Sequence, residues 1–177
     1  MRRFTFSLAL IAFLLAPALH AQDSQPGAQN SGAACLPSTT LEELTKALDE
    51  AISGPTDKDR KCLRDLLLPD ARLTPIRKTS EGSFVALSLT LDDWISAIGS
   101  SGRTAFYERQ VKVRAEMYGH FAHLWSTYEI RSTVDGPATG TGINSVQAVN
   151  DGTRWRVLTV LWESGATAGP IPEKYKQ

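Results

Sequence analysis

Histidine and cysteine are scarce in this 177-residue chain, with three of the first and two of the second. There is no Cys-x-x-Cys, and the only close histidine pair is His120 and His123, so the chain carries no redox motif and no metal-ligand spacing. A glycine-rich phosphate loop and a nucleophile elbow are also missing, which excludes the motif-bearing nucleotide-binding and serine-hydrolase classes. Past Arg3, lysine and arginine are scattered singly except at Arg60-Lys61 and Arg77-Lys78. Without a basic stripe to neutralise a row of phosphates, nucleic acid is excluded as a partner. Only one long apolar run exists, and it lies at the start.

That run is Phe4 to Leu15, preceded by Arg2 and Arg3 and followed by Ala16-Pro17-Ala18-Leu19-His20-Ala21. A basic start, an apolar stretch and small residues form a secretory signal. About 12 apolar residues fall short of the roughly 20 that a spanning helix needs. Residues 1–21 are therefore expected to be a signal peptide cut near Ala21, with Ala16-Pro17-Ala18 as a competing site. Gly32-Ala33-Ala34-Cys35 has the small residues of a lipidation site, but Gln22 to Ser31 separates it from the apolar run, which argues against a lipid anchor. Removing the signal takes two of 19 basic residues and none of 19 acidic ones, leaving a net charge of −2. The mature chain is expected in the periplasm or secreted, without a membrane segment. In an oxidising compartment Cys35 and Cys62 are expected to pair.

Residues 22–34, rich in Gln, Ser, Gly and Ala, are too poor in large apolar side chains to bury themselves and read as a disordered lead. The folded domain is expected over residues 35–163, with 164–177 as a loose tail. Thr40-Leu41-Glu42-Glu43 has capping-box form, and Leu41, Leu44, Leu48 and Ile52 recur at helical spacing. Asp57 is placed to cap a second helix carrying Cys62, Leu63, Leu66 and Leu67, which Pro69 ends. Extended segments follow at 72–76 and 83–87, and Thr90-Leu91-Asp92-Asp93 opens a third helix. The rest reads as strands over 106–117, 121–132, 140–149 and 154–162, joined by turns at Asp135-Gly136-Pro137 and Asn150-Asp151-Gly152. In the first of these strands a single period of two sets Tyr107, Arg109, Val111, Val113 and Ala115 on one face. Glu108, Gln110, Lys112, Arg114 and Glu116 then share a solvated face. The expected class is α+β, with three N-terminal helices packed in a curved, mostly antiparallel, cone-shaped sheet whose open end forms a pocket.

The element order, the segment Asp65-Leu66-Leu67-Leu68-Pro69-Asp70-Ala71-Arg72-Leu73, and the pair Gly142-Ile143-Asn144-Ser145-Val146-Gln147 and Asp151-Gly152-Thr153-Arg154-Trp155-Arg156-Val157 resemble the nuclear transport factor 2-like superfamily. This is the group with the cystatin-like α+β cone that includes the SnoaL-like proteins, and the resemblance covers about Leu41 to Glu163. It implies a homodimer paired through its sheets. It does not choose a function, because isomerases, dehydratases and cyclases share this scaffold with noncatalytic binding and assembly domains.

His123 is the first candidate for chemistry, because imidazole is the side chain suited to proton transfer near neutral pH; the competing reading is a histidine satisfied by a backbone group or exposed on the sheet's outer face. With Tyr128 and Asn144 it would supply a proton acceptor and neutral donors. Strand parity opposes that grouping, since His123 and Tyr128 lie five positions apart and point to opposite faces of a regular strand, unless a bulge near Ser126 reconciles them. Trp162, Tyr107 and Arg109 complete the candidate pocket set, while Trp155 is expected to pack against the helices. No cofactor and no metal is expected. The leading expectation is a small exported pocket protein binding an apolar or aromatic molecule. The alternatives are a cofactor-independent lyase or isomerase working around His123, and a noncatalytic dimerisation or assembly module.

Overall fold

Thr40 closes the expected capping box: its hydroxyl accepts from the Glu43 N–H while the Glu43 carboxylate accepts from the Thr40 N–H, and helix α1 runs Leu41–Ile52. The computed structural model describes residues 34–176, so the expected signal (1–21) and all of the expected lead except Ala34 lie outside the described residues. After α1 come β1 (Gly54–Pro55), α2 (Lys61–Leu66), β2 (Leu67–Lys78), β3 (Phe84–Ala86) and α3 (Leu91–Gly99). The meander β4 (Ala105–Tyr118), β5 (Phe121–Arg131), β6 (Ala138–Asn150) and β7 (Trp155–Ser164) follows, then a short α4 (Gly165–Ala168).

The class is α+β with a large curved mixed sheet, ordered β1-β4-β5-β6-β7-β2-β3. Three expectations need correction. The helices are not all N-terminal to the sheet, because α3 follows β2 and β3 and so interleaves with the strands. Asp57 does not cap α2; the helix begins after Arg60, whose side chain is used elsewhere, and the Asp59 carboxylate accepts from the Lys61 N–H. Helix α2 stops at Leu66, three residues short of Pro69, and the chain passes straight into β2, which contains that proline and pairs with β7 in parallel and with β3 antiparallel.

One face of the sheet buries Leu67, Leu73, Ala122, Leu124, Val146 and Val157 against Leu44, Ala47 and Ala51 of α1 and Leu63 and Leu66 of α2. Trp155 packs in this core, as expected. Cys35 and Cys62 form a disulfide that closes a stretch of 27 residues and holds the chain ahead of α1 against α2. No helix of the described residues is long and apolar enough to cross a membrane. Residues 165–176 are not loose. The Tyr175 ring lies 5.6 Å from that of Trp125, and the Thr127 hydroxyl donates to the Tyr175 carbonyl at 2.6 Å, so the tail docks on the sheet.

Candidate functional site

A β-bulge decides which residues of β4 face inward. Gln110 pairs with Tyr128 and Lys112 with Thr127, so Val111 is the extra residue and the side-chain alternation changes phase there. Before the bulge Phe106, Glu108 and Gln110 point toward the helices; beyond it Val113 and Ala115 do.

The last turn of α1 holds this segment in place. The pairing of β1 with β4 ends at Phe106, which leaves the next backbone groups of β4 without a strand partner on that side. Side chains substitute for the missing strand. The Glu108 N–H donates to Ser53 Oγ at 3.0 Å, and the Ser53 hydroxyl donates back to the Glu108 carbonyl at 3.0 Å. The Gln110 N–H donates to both oxygens of Asp49 at 3.1 and 3.2 Å, and Gln110 Nε2 donates to Asp49 Oδ1 at 3.1 Å. Ser126 donates its hydroxyl to Gln110 Oε1. Arg60, 3% exposed, anchors the helix end itself by donating to the carbonyls of Ala51, Ile52, Ser53 and Pro55. A guanidinium there answers the partial negative charge of the helix terminus.

Between the helices and the sheet lies a cavity of about 380 Å³. Its walls are mostly apolar: Leu48 and Ile52 of α1, Trp94 and Ile98 of α3, and Val146 and Val160 of the sheet. Glu108, Tyr128 and Asn144 bring polar atoms to it. Asn144 Nδ2 donates to Glu108 Oε1 at 3.0 Å. Burial pushes the Glu108 carboxyl up to about 7, the Asn144 hydrogen bond opposing and the nearby Asp49 charge assisting. Burial also raises Tyr128 above the usual phenol range, with the Glu108 charge adding to the rise and Arg77 opposing it. The Tyr128 hydroxyl has no hydrogen-bond partner among the described residues. Its ring can lie where it does because Gly142 is its neighbour on β6; a Cβ at Gly142 would overlap the phenol and the Glu163 carbonyl. Burial likewise raises Asp49, against the hydrogen bonds from Gln110. Among the described residues no group of three or more His, Cys, Asp or Glu is placed to hold a metal ion.

No family model matches the chain, and no curated protein matches it in sequence. Solved structures do match. A protein of unknown function with a cystatin-like fold from Nostoc punctiforme superposes with a TM-score of 0.53 at 10% identity, over 70% of this chain and 87% of the other. The Kfla4162 protein from Kribbella flavida gives 0.50 at 15% identity, over 70% and 87%. An NTF-2 like protein of unknown function from Silicibacter pomeroyi gives 0.47 at 17% identity, over 70% and 92%. The chain has a cystatin-like fold. At these identities the likeness is one of architecture, and it assigns no residue a role.

On this cystatin-like scaffold Tyr128, Asn144 and Trp162 all line the cavity, with Asn144 and Trp162 paired across β6 and β7. Three other expected pocket residues do not. His123 has the opposite parity from Leu124, Ser126 and Tyr128, and its Nε2 is hydrogen-bonded to Ser145 Oγ at 3.0 Å, with its ring 6.1 Å from that of Trp125. Tyr107 and Arg109 have the opposite parity from Glu108. Arg109 borders a separate, open cleft between α1 and β4. The residue missed from sequence is Glu108, assigned to a solvated face by continuing one alternation through Val111. The available signal was Phe106, an apolar residue in phase with Glu108 and Gln110.

Proposed function

We propose that this domain binds a small, largely apolar molecule in the cavity, with Glu108 and Tyr128 meeting that molecule's polar group. Tyr128 carries the reading: its ring is buried, and its hydroxyl, without a protein hydrogen bond, opens onto the wall of an apolar cavity of about 380 Å³. That hydroxyl faces the cavity, where a ligand atom or an enclosed water can accept from it or donate to it. The volume falls within the roughly 300–1,000 Å³ of small-molecule sites. Native mass spectrometry of the purified protein is expected to show a retained small molecule. Tyr128→Phe is expected to weaken that molecule's binding about tenfold, the worth of one hydrogen bond. A protein that carries no small molecule and whose Trp162 fluorescence responds to no apolar probe would refute the reading.

A second reading, acid–base catalysis, is favoured by the position of Glu108 near neutrality, where both protonation states are populated. Glu108 takes a proton from a carbon beside a carbonyl, the Tyr128 hydroxyl donates to the oxygen on which charge grows, and Glu108 returns the proton to another carbon of the same molecule. The product is an isomer, and no cofactor takes part. Glu108 here holds the part that the sequence suggested for His123. Exchange of deuterium from solvent into a bound ketone probe, abolished in Glu108→Gln, is the expected result; exchange at the wild-type rate in that variant excludes it.

The disulfide, and the lack among the described residues of a helix able to cross a membrane, are compatible with a secreted protein. Export with cleavage near Ala21 is tested by N-terminal sequencing of protein recovered outside the cytoplasm, and homodimer formation by light scattering.

A further inference from the structure

The cavity wall carries three charged side chains, and they do not balance. Glu108 is the only acid. Arg77 reaches the wall from the end of β2, in phase with Leu73 and Pro75, and Arg103 from the loop joining α3 to β4. Both arginines are exposed, as are Ala97 and Ser101, so these four mark where the cavity opens. Glu108, by contrast, sits inside with Asn144.

Neither guanidinium has a partner. Elsewhere among the described residues an arginine holds a carboxylate or a backbone carbonyl, as Arg154 does with Asp65 at 2.9 Å and Arg131 with Glu129 at 2.6 Å. The exceptions are Arg77, Arg103 and Arg109, and the first two line the same cavity. Arg77 is also close enough for its charge to act on the Tyr128 phenol. The exposed rim of the lining is therefore cationic, the walls mostly apolar, and the half-buried carboxyl of Glu108 acidic.

Resting on the pocket reading above, we propose that the ligand is an amphipathic acid: an apolar ring or short chain bearing one carboxylate, held at the cavity opening by Arg77 and Arg103. A guanidinium offers a planar pair of donors that matches a carboxylate, and it is less strongly hydrated than an ammonium, so the pairing survives partial desolvation. The charge arrangement also sets the direction of binding. A carboxylate placed inward would meet Glu108 in a medium where like charges repel strongly. The apolar body accordingly goes in first, carrying its uncharged polar group to Glu108 and Tyr128, and the acid stays at the mouth.

The test uses 2-naphthoate and its neutral isostere 2-naphthamide, titrated into the purified protein by calorimetry and Trp fluorescence. Naphthoate is expected to bind at least about tenfold more tightly, the scale of one charge-assisted hydrogen bond, and added salt is expected to shrink the difference. Arg77→Gln and Arg103→Gln together are expected to erase the preference for the acid. Arg114→Gln, which removes the same charge from an exposed pair with Glu116, is expected to leave the preference unchanged. Equal affinity for the two probes overturns the acid class while leaving the pocket reading standing. A preference that persists in the double variant places the carboxylate elsewhere and also overturns it. Binding of neither probe overturns both.

Discussion

The protonation of Glu108 ought to be visible in the stability of the whole domain. Its carboxyl is raised from 4.5 to about 7 because the ionised form is desolvated beside an apolar cavity. The folded protein therefore holds this proton more tightly than the unfolded chain does, and unfolding releases it. The stability contributed is full below about 4.5 and is lost as the pH rises to about 7, at close to 1.4 kcal/mol for each pH unit. The whole displacement is worth about 3 kcal/mol, an upper figure because water inside the cavity would screen part of it. Glu108→Gln removes the titration and keeps an oxygen for the Asn144 amide at its present 3.0 Å. Urea unfolding of both proteins across this range, with the disulfide intact, isolates the residue together with its coupling to Asp49, since groups away from Glu108 cancel in the difference. The variant is expected to match the wild type at about pH 4.5 and to exceed it by up to about 3 kcal/mol at about pH 8. A difference that stays flat with pH would show that Glu108 is ionised throughout and is not held in an apolar setting.

Asn144→Leu strips the Glu108 carboxylate of its donor; a loss of about 1–3 kcal/mol at neutral pH, smaller in acid, is expected by chemical denaturation. Gly142→Ala is expected to cost about 1–3 kcal/mol, because the new methyl group overlaps both Tyr128 and the Glu163 backbone; Tyr128→Phe in the same chain should rescue only part, and full rescue would refute the backbone clash. Reducing Cys35–Cys62, with its 27-residue separation, is expected to lower unfolding free energy by about 3–4 kcal/mol, measured with and without reductant, and no change would contradict the entropic argument. Truncation after Ser164 removes the Tyr175–Trp125 ring contact and the Thr127 hydrogen bond; a loss of about 1–2 kcal/mol and a red shift of Trp emission are expected, and an unchanged thermal midpoint would show that the docked tail contributes nothing.

The parts of the fold legible in the sequence are those set by local chemistry. Thr40 and Thr90 both cap their helices through the box that the residue spacing announces, and Gly152 takes the positive φ that its turn requires. The candidate site was harder because it depends on phase. An alternation carried through Val111 without a break puts Glu108 beside Arg114 and Glu116 in solvent; the bulge moves it into the interior. What fixes the phase is the contact between Asp49 and Gln110, residues 61 positions apart, which no local pattern encodes. Parity alone did separate His123 from Tyr128, since no bulge falls between them on β5. The tail lacks the apolar periodicity that marks a packed element, yet one aromatic ring and one backbone carbonyl are enough to dock it.

The parallel pairing of β2 with β7 bears on how the chain reaches this state. The meander of β4, β5 and β6 joins neighbours through short turns and can form as it emerges, but Leu67 must wait for Val157, and Asp65 for Arg154 across 89 residues. Pairing over that distance costs more loop-closure entropy than the local hairpins, so the last strand is expected to join after the meander. Until then β2 has an open edge, and the future cavity has no floor on the side of Val160 and Trp162. A chain halted before β7, by a premature stop or a stalled ribosome, would hold a meander without its pocket and an unpaired strand able to join a neighbouring chain.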